Sequence, residues 1–146
     1  MNRLMTIKGA MLFAIGIFAF NFVLVMTGVY DAFPHTDIPM HMMGGLAMGF
    51  LAWGFSGYFV RGVRFESHKP VTRYLMSLLY ILGFVALIGV AWEMYEYAAD
   101  FVMQNYFTDV NDQLAGTRQN GVEDMLGDFV MDFIGGFLAW WLGKNA

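Results

Sequence analysis

Cysteine is absent from the 146 residues of the chain. This absence excludes disulfide bonds, thiol catalysis and thiolate metal sites. Charged residues are also scarce, because they make up only 14% of the chain, whereas a typical soluble domain has about a quarter. Hydrophobic residues make up 58%, and the sequence contains no internal repeat or low-complexity tract. The composition therefore predicts a membrane protein rather than a soluble domain.

Four apolar runs have the length of a membrane-spanning helix, since roughly 20 residues cross the hydrocarbon core of a bilayer. They cover residues 9–30, 39–60, 74–99 and 123–143. Such runs must be helical because backbone polar groups find no water partner in lipid. The prediction is an all-α integral membrane protein with a single four-helix transmembrane domain over residues 1–146.

The first apolar run follows Arg3 and Lys8, as the apolar region of a cleaved signal peptide would. Its length, and the lack of a clear small-x-small cleavage site in "MTGVYDAFPHTD", favour a retained first span. Aromatic residues such as Trp92 and Trp140 are expected in belts at the two membrane interfaces.

Basic residues lie almost entirely on one side of the predicted bundle. Seven of the eight are on that side, and Arg118 is the exception; the seven are Arg3, Lys8, Arg61, Arg64, Lys69, Arg73 and Lys144. Of the twelve acidic residues, only Glu66 lies in the same loops. The positive-inside rule therefore predicts that both termini are cytoplasmic and that the acidic end faces outward.

The third span ends in "GVAWEMYEYAAD", which carries three carboxylates. Gly89, Glu93, Glu96 and Asp100 fall within roughly a 60° arc of one helix face. A charged side chain near the membrane centre costs at least about 2.5–3.5 kcal/mol on insertion scales. This face should therefore point at the bundle interior or at a water-filled cavity. Asp100 lies at the membrane interface, a position that fits a solvated residue equally well.

The fourth span repeats the pattern from its N-terminal end. Asp124, Asp128 and Asp132 follow one another at i, i+4 spacing and so share one face. Asn120 and Glu123 have the spacing of a capping box, which predicts that the helix begins there. The helix macrodipole offers a purely structural explanation for Glu123 and Asp124, but not for the two deeper aspartates.

The second span adds a histidine to the same end of the bundle. Asp37, His41 and Gly44 share one face at i, i+4 and i+7, and Asp37 can cap the helix. His35 and His68 are expected to be loop residues. Three helices should thus bring acidic faces together at the outer end, where small residues allow close helix packing.

Like charges in a low dielectric have three possible resolutions. Some carboxylates are protonated, or they pair with Arg118 or a protonated His41, or a cation binds among them. Oxygen ligands with one imidazole suit Mg²⁺, Mn²⁺, Ca²⁺ or Zn²⁺. The candidate metal ligands are Asp37, His41, Glu93, Glu96, Asp124, Asp128 and Asp132. The methionines of "MHMM", residues 40–43, suggest copper ligation as an alternative, but core packing is favoured because 13 methionines are spread along the chain.

The sequence also resembles a known family. "WEMYE", a polar loop and an Asp ladder ending in Gly are similar to the YjdF-like family of bacterial inner-membrane proteins, which in turn resembles VanZ-like proteins. The matching positions of the ladder and of the second span are Asp124, Asp128, Asp132, Gly135, Asp37, His41 and Gly44. The third ladder position is often Asn in these families and is Asp132 here. The resemblance covers residues 37–142 and implies a multi-pass bacterial inner-membrane protein, with a link to envelope or glycopeptide stress through the VanZ relatives.

Two classes of function follow from these observations. The first is a protein that binds a divalent cation or a lipid head group at the outer end of the bundle. The alternative is a metal-dependent hydrolase of a lipid-linked or phosphorylated envelope substrate, with His41, Glu93 and Asp128 as catalytic residues. Transport is disfavoured because the inner halves of the helices lack ionisable residues. Membrane lipids are the expected partners, and no nucleic-acid partner is expected.

Overall fold

The fold is known from a computed structural model, which describes residues 6–59, 70–106 and 121–144. Four helices in these ranges are long and apolar enough to cross a membrane, which confirms the predicted all-α membrane fold. The helices are α1 (Ile7–Met26), α2 (Val29–Ala32), α3 (Asp37–Phe59), α4 (Pro70–Tyr106) and α5 (Val122–Gly143), with a 3₁₀ turn at Pro34–Thr36 before α3.

Several helix ends differ from the predicted boundaries, and two differences lie near the acidic residues. The first span ends at Met26 rather than at residue 30, because Gly28 adopts a left-handed conformation (φ 69°) that a helix cannot continue through. The short helix α2 follows. At the same end of the bundle, α4 continues through residues 100–106, beyond the predicted end of the third span at residue 99. Residues 107–120, including Arg118, lie outside the described part of the chain.

The helix α5 begins at Val122, with Gly121 as its N-cap residue. Asn120, on which the capping-box prediction rests, lies outside the described residues. Gly121 has φ 107°, a conformation that residues with a Cβ rarely adopt. Glu123 and Asp124 do lie in the first turn, where their negative charge meets the positive end of the helix dipole.

Contacts between the helices define their directions. α3 contacts the other three long helices and packs most extensively against α5. Near the start of both helices Gly45 lies against the backbone of Asp132, and near their ends the Trp53 indole donates a hydrogen bond to the Ala139 carbonyl (3.2 Å). α3 and α5 therefore run in the same direction.

α4 and α1 run the opposite way. Gly89, late in α4, lies beside Asp132, while Ser77 near its start accepts a hydrogen bond from the Trp140 indole (2.9 Å). Gly54 near the end of α3 lies against Ile7 at the start of α1. The start of α1 and the end of α5 thus lie at the same end of the bundle.

The two ends of the bundle differ in charge. One end, called the basic end here, carries Lys8, Arg73 and Lys144. Lys144 Nζ lies over the rings of Trp140 (4.9 Å) and Trp141 (5.7 Å), an arrangement typical of a membrane interface. The other end, called the acidic end, contains the starts of α3 and α5 and the later part of α4.

Small residues allow α3 and α5 to approach closely between these ends. A Cβ on Gly135 would collide with the backbone carbonyl of Met42, and a Cβ on Gly49 would lie 2.5 Å from the Ala139 Cβ. The buried face of α5 consists of Asp128, Asp132, Gly135, Gly136, Ala139 and Gly143. A single face of α5 therefore provides both the close packing against α3 and the carboxylates at the acidic end.

Candidate metal centre

His41 lies at the centre of the acidic end and is buried, with 6% of its surface exposed. Its Nε2 atom is 3.6 Å from Asp37 Oδ1, one turn earlier in α3, and 3.8 Å from Asp128 Oδ1 in α5. Its Nδ1 atom is 3.6 Å from Asp132 Oδ1. The two ring nitrogens therefore face different carboxylates.

α4 contributes the two glutamates of the site. Glu93 and Glu96 are 4% and 8% exposed, as expected for two positions three residues apart on the buried face of one helix. The Trp92 indole donates a hydrogen bond to Glu96 Oε1 (2.9 Å). Trp92 was expected only as part of an interfacial belt, and the i, i+4 spacing of Trp92 and Glu96 was the signal for this contact.

Among the described residues, two groups of three side chains could hold a metal ion, and both include His41. One consists of Asp37, His41 and Asp128, and the other of His41, Glu93 and Glu96; within each group the ligand atoms lie within 4.8 Å of one another. The three predicted acidic faces therefore converge, because these five residues come from α3, α4 and α5.

Lysine and arginine counter-charges are lacking in the described part of this end. The lysine and arginine side chains in residues 6–59, 70–106 and 121–144 are Lys8, Arg73 and Lys144, all at the basic end. Asp124 is half-buried, and its charge acts on Asp37 and Asp128. An imidazole and several carboxylates are thus held together without a nearby described lysine or arginine, which is an arrangement suited to a divalent cation.

Several predicted site residues lie outside the two ligand groups. Asp132 reaches the other nitrogen of His41, and Asp124 lies one turn before Asp128. Glu123 and His35 are exposed. Arg118, the predicted outer counter-charge, lies outside the described residues, and Asp100 belongs to α4 without a described side chain.

One family comparison covers the whole chain. The model of a family described as "Predicted membrane protein (DUF2238)" matches residues 1–146. No curated protein and no solved structure matches the chain. The family description supports the membrane location and names no activity.

Proposed function

The chain belongs to the DUF2238 family of membrane proteins, and we propose that it binds a divalent cation at the acidic end of its single four-helix domain. The observation that carries this proposal is the convergence of two three-ligand groups on His41. Oxygen ligands with a single imidazole favour Mg²⁺, Mn²⁺, Ca²⁺ or Zn²⁺ over metals that prefer sulfur.

Electrostatics support a bound cation over an empty cluster. His41, Glu93, Glu96, Asp128 and Asp132 are all buried. Ionised carboxylates removed from water lose hydration, and close partners of opposite charge offset this loss. A divalent cation among the ligands supplies that charge, while a protonated His41 supplies only one unit.

We place this site on the outer face of a bacterial inner membrane. The support comes from the seven basic residues that the sequence assigns to the opposite side, and from the resemblance to YjdF-like and VanZ-like proteins. At that position the cation would meet lipid head groups, whose phosphate oxygens are ligands that Mg²⁺ and Ca²⁺ prefer. Membrane lipids are therefore the proposed partners.

Hydrolysis of a lipid-linked or phosphorylated substrate is the alternative function. It is favoured by one observation: each ligand group supplies three protein side chains, the number that catalytic zinc sites commonly use while keeping one position open. A bound metal would supply Lewis acidity there. Of the chain's own residues, His41 and Asp128 would hold the metal, and Glu93, which lies outside the group of Asp37, His41 and Asp128, would hold and move the proton.

Thermal unfolding in detergent tests the cation proposal. A ligand that binds only the folded state raises the free energy of unfolding by about 2.7 kcal/mol when its free concentration is a hundredfold above Kd. We expect this increase with at least one of Mg²⁺, Mn²⁺, Ca²⁺ and Zn²⁺, and we expect chelator to abolish it. Asp128→Asn and Glu93→Gln should lose most of the increase while keeping side-chain volume.

In chelator, the same variants show whether the substitutions damage the fold itself. In chelator, both should melt at or above the wild-type temperature, because each removes one buried like charge. Glu123→Gln is the matched control, since Glu123 lies in α5 as Asp128 does but is exposed; it should respond to metal as wild type does. If none of the metals changed the melting temperature of the wild type, both the cation proposal and the hydrolase alternative would be contradicted.

A further inference from the structure

We infer that Asp132 is not a metal ligand but the residue that positions the imidazole of His41, so that Nε2 faces the cation. The inference deepens the proposed function and rests on it. It starts from the two ring nitrogens of His41, which lie on different sides of the imidazole. Nε2 faces Asp37 and Asp128, the carboxylates of one ligand group, whereas Nδ1 faces Asp132, which belongs to neither group.

An imidazole that binds a metal through one nitrogen usually donates the proton on the other to a carboxylate or carbonyl oxygen. This contact fixes the tautomer and the ring orientation and makes the ligand nitrogen more basic. Asp132 Oδ1 at 3.6 Å from Nδ1 is placed for that role. An ion between Asp37, Asp128 and Nε2 would lie on the far side of the ring from Asp132.

Two helices pack against Asp132, one on its backbone and the other on its carboxylate. Its backbone carbonyl lies against Gly45 of α3, and its Oδ2 atom lies close to the backbone of α4, where a Cβ on Gly89 would be only 2.8 Å away. A Cβ at residue 89 would therefore require a shift in the present position of this carboxylate or of the helices around it. Because its neighbours limit the movement of Asp132, this residue is suited to fixing the orientation of the His41 imidazole.

Gly89 provides a variant that disturbs Asp132 without touching any ligand. A Cβ at residue 89 would lie 2.8 Å from Asp132 Oδ2 and 3.3 Å from the Phe129 ring, so Gly89→Ala must shift the carboxylate. Gly83, also in α4, is the matched control, since a Cβ there meets nothing within 4 Å. Gly83→Ala should therefore leave metal binding unchanged.

The test uses Cd²⁺ as the probe, on the full chain in detergent with isotope-labelled histidine. His35→Gln and His68→Gln in the background leave His41 as the only histidine. NMR should then show coupling of the cadmium nucleus to Nε2 of His41 and not to Nδ1. Coupling to Nδ1 would overturn the inference, because Asp132 faces that nitrogen.

Affinity for Cd²⁺ provides the second readout. Asp132→Asn keeps an acceptor oxygen for Nδ1 and should weaken binding by about 10–100-fold at unchanged stoichiometry, as is typical when a residue behind a metal ligand is changed. Asp132→Leu, which has no acceptor, should weaken it further, and Gly89→Ala should resemble Asp132→Asn. Asp128→Asn, which removes a ligand, should be more damaging than Asp132→Asn.

The outcomes separate this inference from the proposed function. Wild type that binds no Cd²⁺ overturns both. Wild type that binds Cd²⁺, with Asp132→Asn as damaging as Asp128→Asn, overturns only the positioning role and makes Asp132 a ligand. Melting temperature in chelator identifies any variant that fails to fold, and the NMR coupling to Nε2 or Nδ1 then still decides the matter, because it is measured with every carboxylate retained.

Discussion

At the residue scale, the sequence predicted which side chains lie together at the acidic end but not which contacts each of them makes. The i, i+4 spacing places Asp37 with His41 and Asp128 with Asp132, and the cost of charge in lipid turns these faces inward. Which carboxylate faces Nε2 and which faces Nδ1 depends on the rotation of α5 against α3. Helical spacing within one segment carries no information about that rotation.

Trp92 leads to a prediction at this scale. Trp92→Phe removes the hydrogen bond from the indole to Glu96 Oε1 but keeps an aromatic ring near Phe18 and Tyr95. Because Glu96 belongs to one ligand group, the loss of its orienting partner should weaken metal binding by about tenfold, the low end for residues behind a ligand. Titration calorimetry with the stabilising metal measures the change.

Trp141→Phe is the control for this substitution, because Trp141 lies at the basic end and is exposed. It should bind metal with wild-type affinity. If Trp92→Phe also bound metal as wild type does, the indole would not orient Glu96 for binding.

At the element scale, the helices themselves were predictable and their ends were not. Long apolar runs must be helical in lipid, so all four were found from the sequence. The ends depend on local backbone choices, such as the left-handed Gly28 after α1 and the Gly121 cap before α5. Gly45 and Gly49 have the G-x-x-x-G spacing that favours close packing, but the spacing does not specify the partner, which is α5.

The α3–α5 interface leads to the second prediction. Gly135→Ala would place a Cβ against the backbone of Met42 and 2.5 Å from the amide nitrogen of Leu46. A backbone atom cannot move aside as a flexible side chain can, so the variant should lose about 1–3 kcal/mol of stability, the usual cost of overpacking. Denaturant unfolding in detergent, with chelator present, measures this loss independently of metal.

Gly127→Ala is the control on the same helix, because a Cβ at residue 127 meets nothing within 4 Å. It should be as stable as wild type or slightly more stable, since alanine favours a helix over glycine. Equal stability of the Gly127→Ala and Gly135→Ala variants would mean that α3 and α5 do not pack through this face.

At the scale of the whole molecule, charge separates the two ends of the bundle. Lys8, Arg73 and Lys144 lie at one end, and the carboxylates around His41 lie at the other. The alternating helix directions are those of a chain that crosses a membrane four times. The sequence predicted this separation because basic residues concentrate on the cytoplasmic side of membrane proteins.

Accessibility to a membrane-impermeant thiol reagent tests the orientation. The natural chain has no cysteine, so single-cysteine variants carry no background. In intact bacterial cells, Ser67→Cys in the predicted inner loop should be protected, and Asn111→Cys in the predicted outer loop should be labelled. After the cells are permeabilised, both variants should react. Labelling of Ser67→Cys alone in intact cells would place the acidic end in the cytoplasm.

X-ray absorption spectroscopy of the metal-loaded protein examines the ligands of the cation directly. For Zn²⁺ or Mn²⁺ bound to wild type, the spectrum should show a first shell of oxygen atoms with one imidazole, since the two ligand groups contain four carboxylates and His41. The imidazole signal should disappear in His41→Gln. Sulfur scatterers, which would indicate the methionines, or an imidazole signal that persists in His41→Gln, would contradict a site built around this histidine.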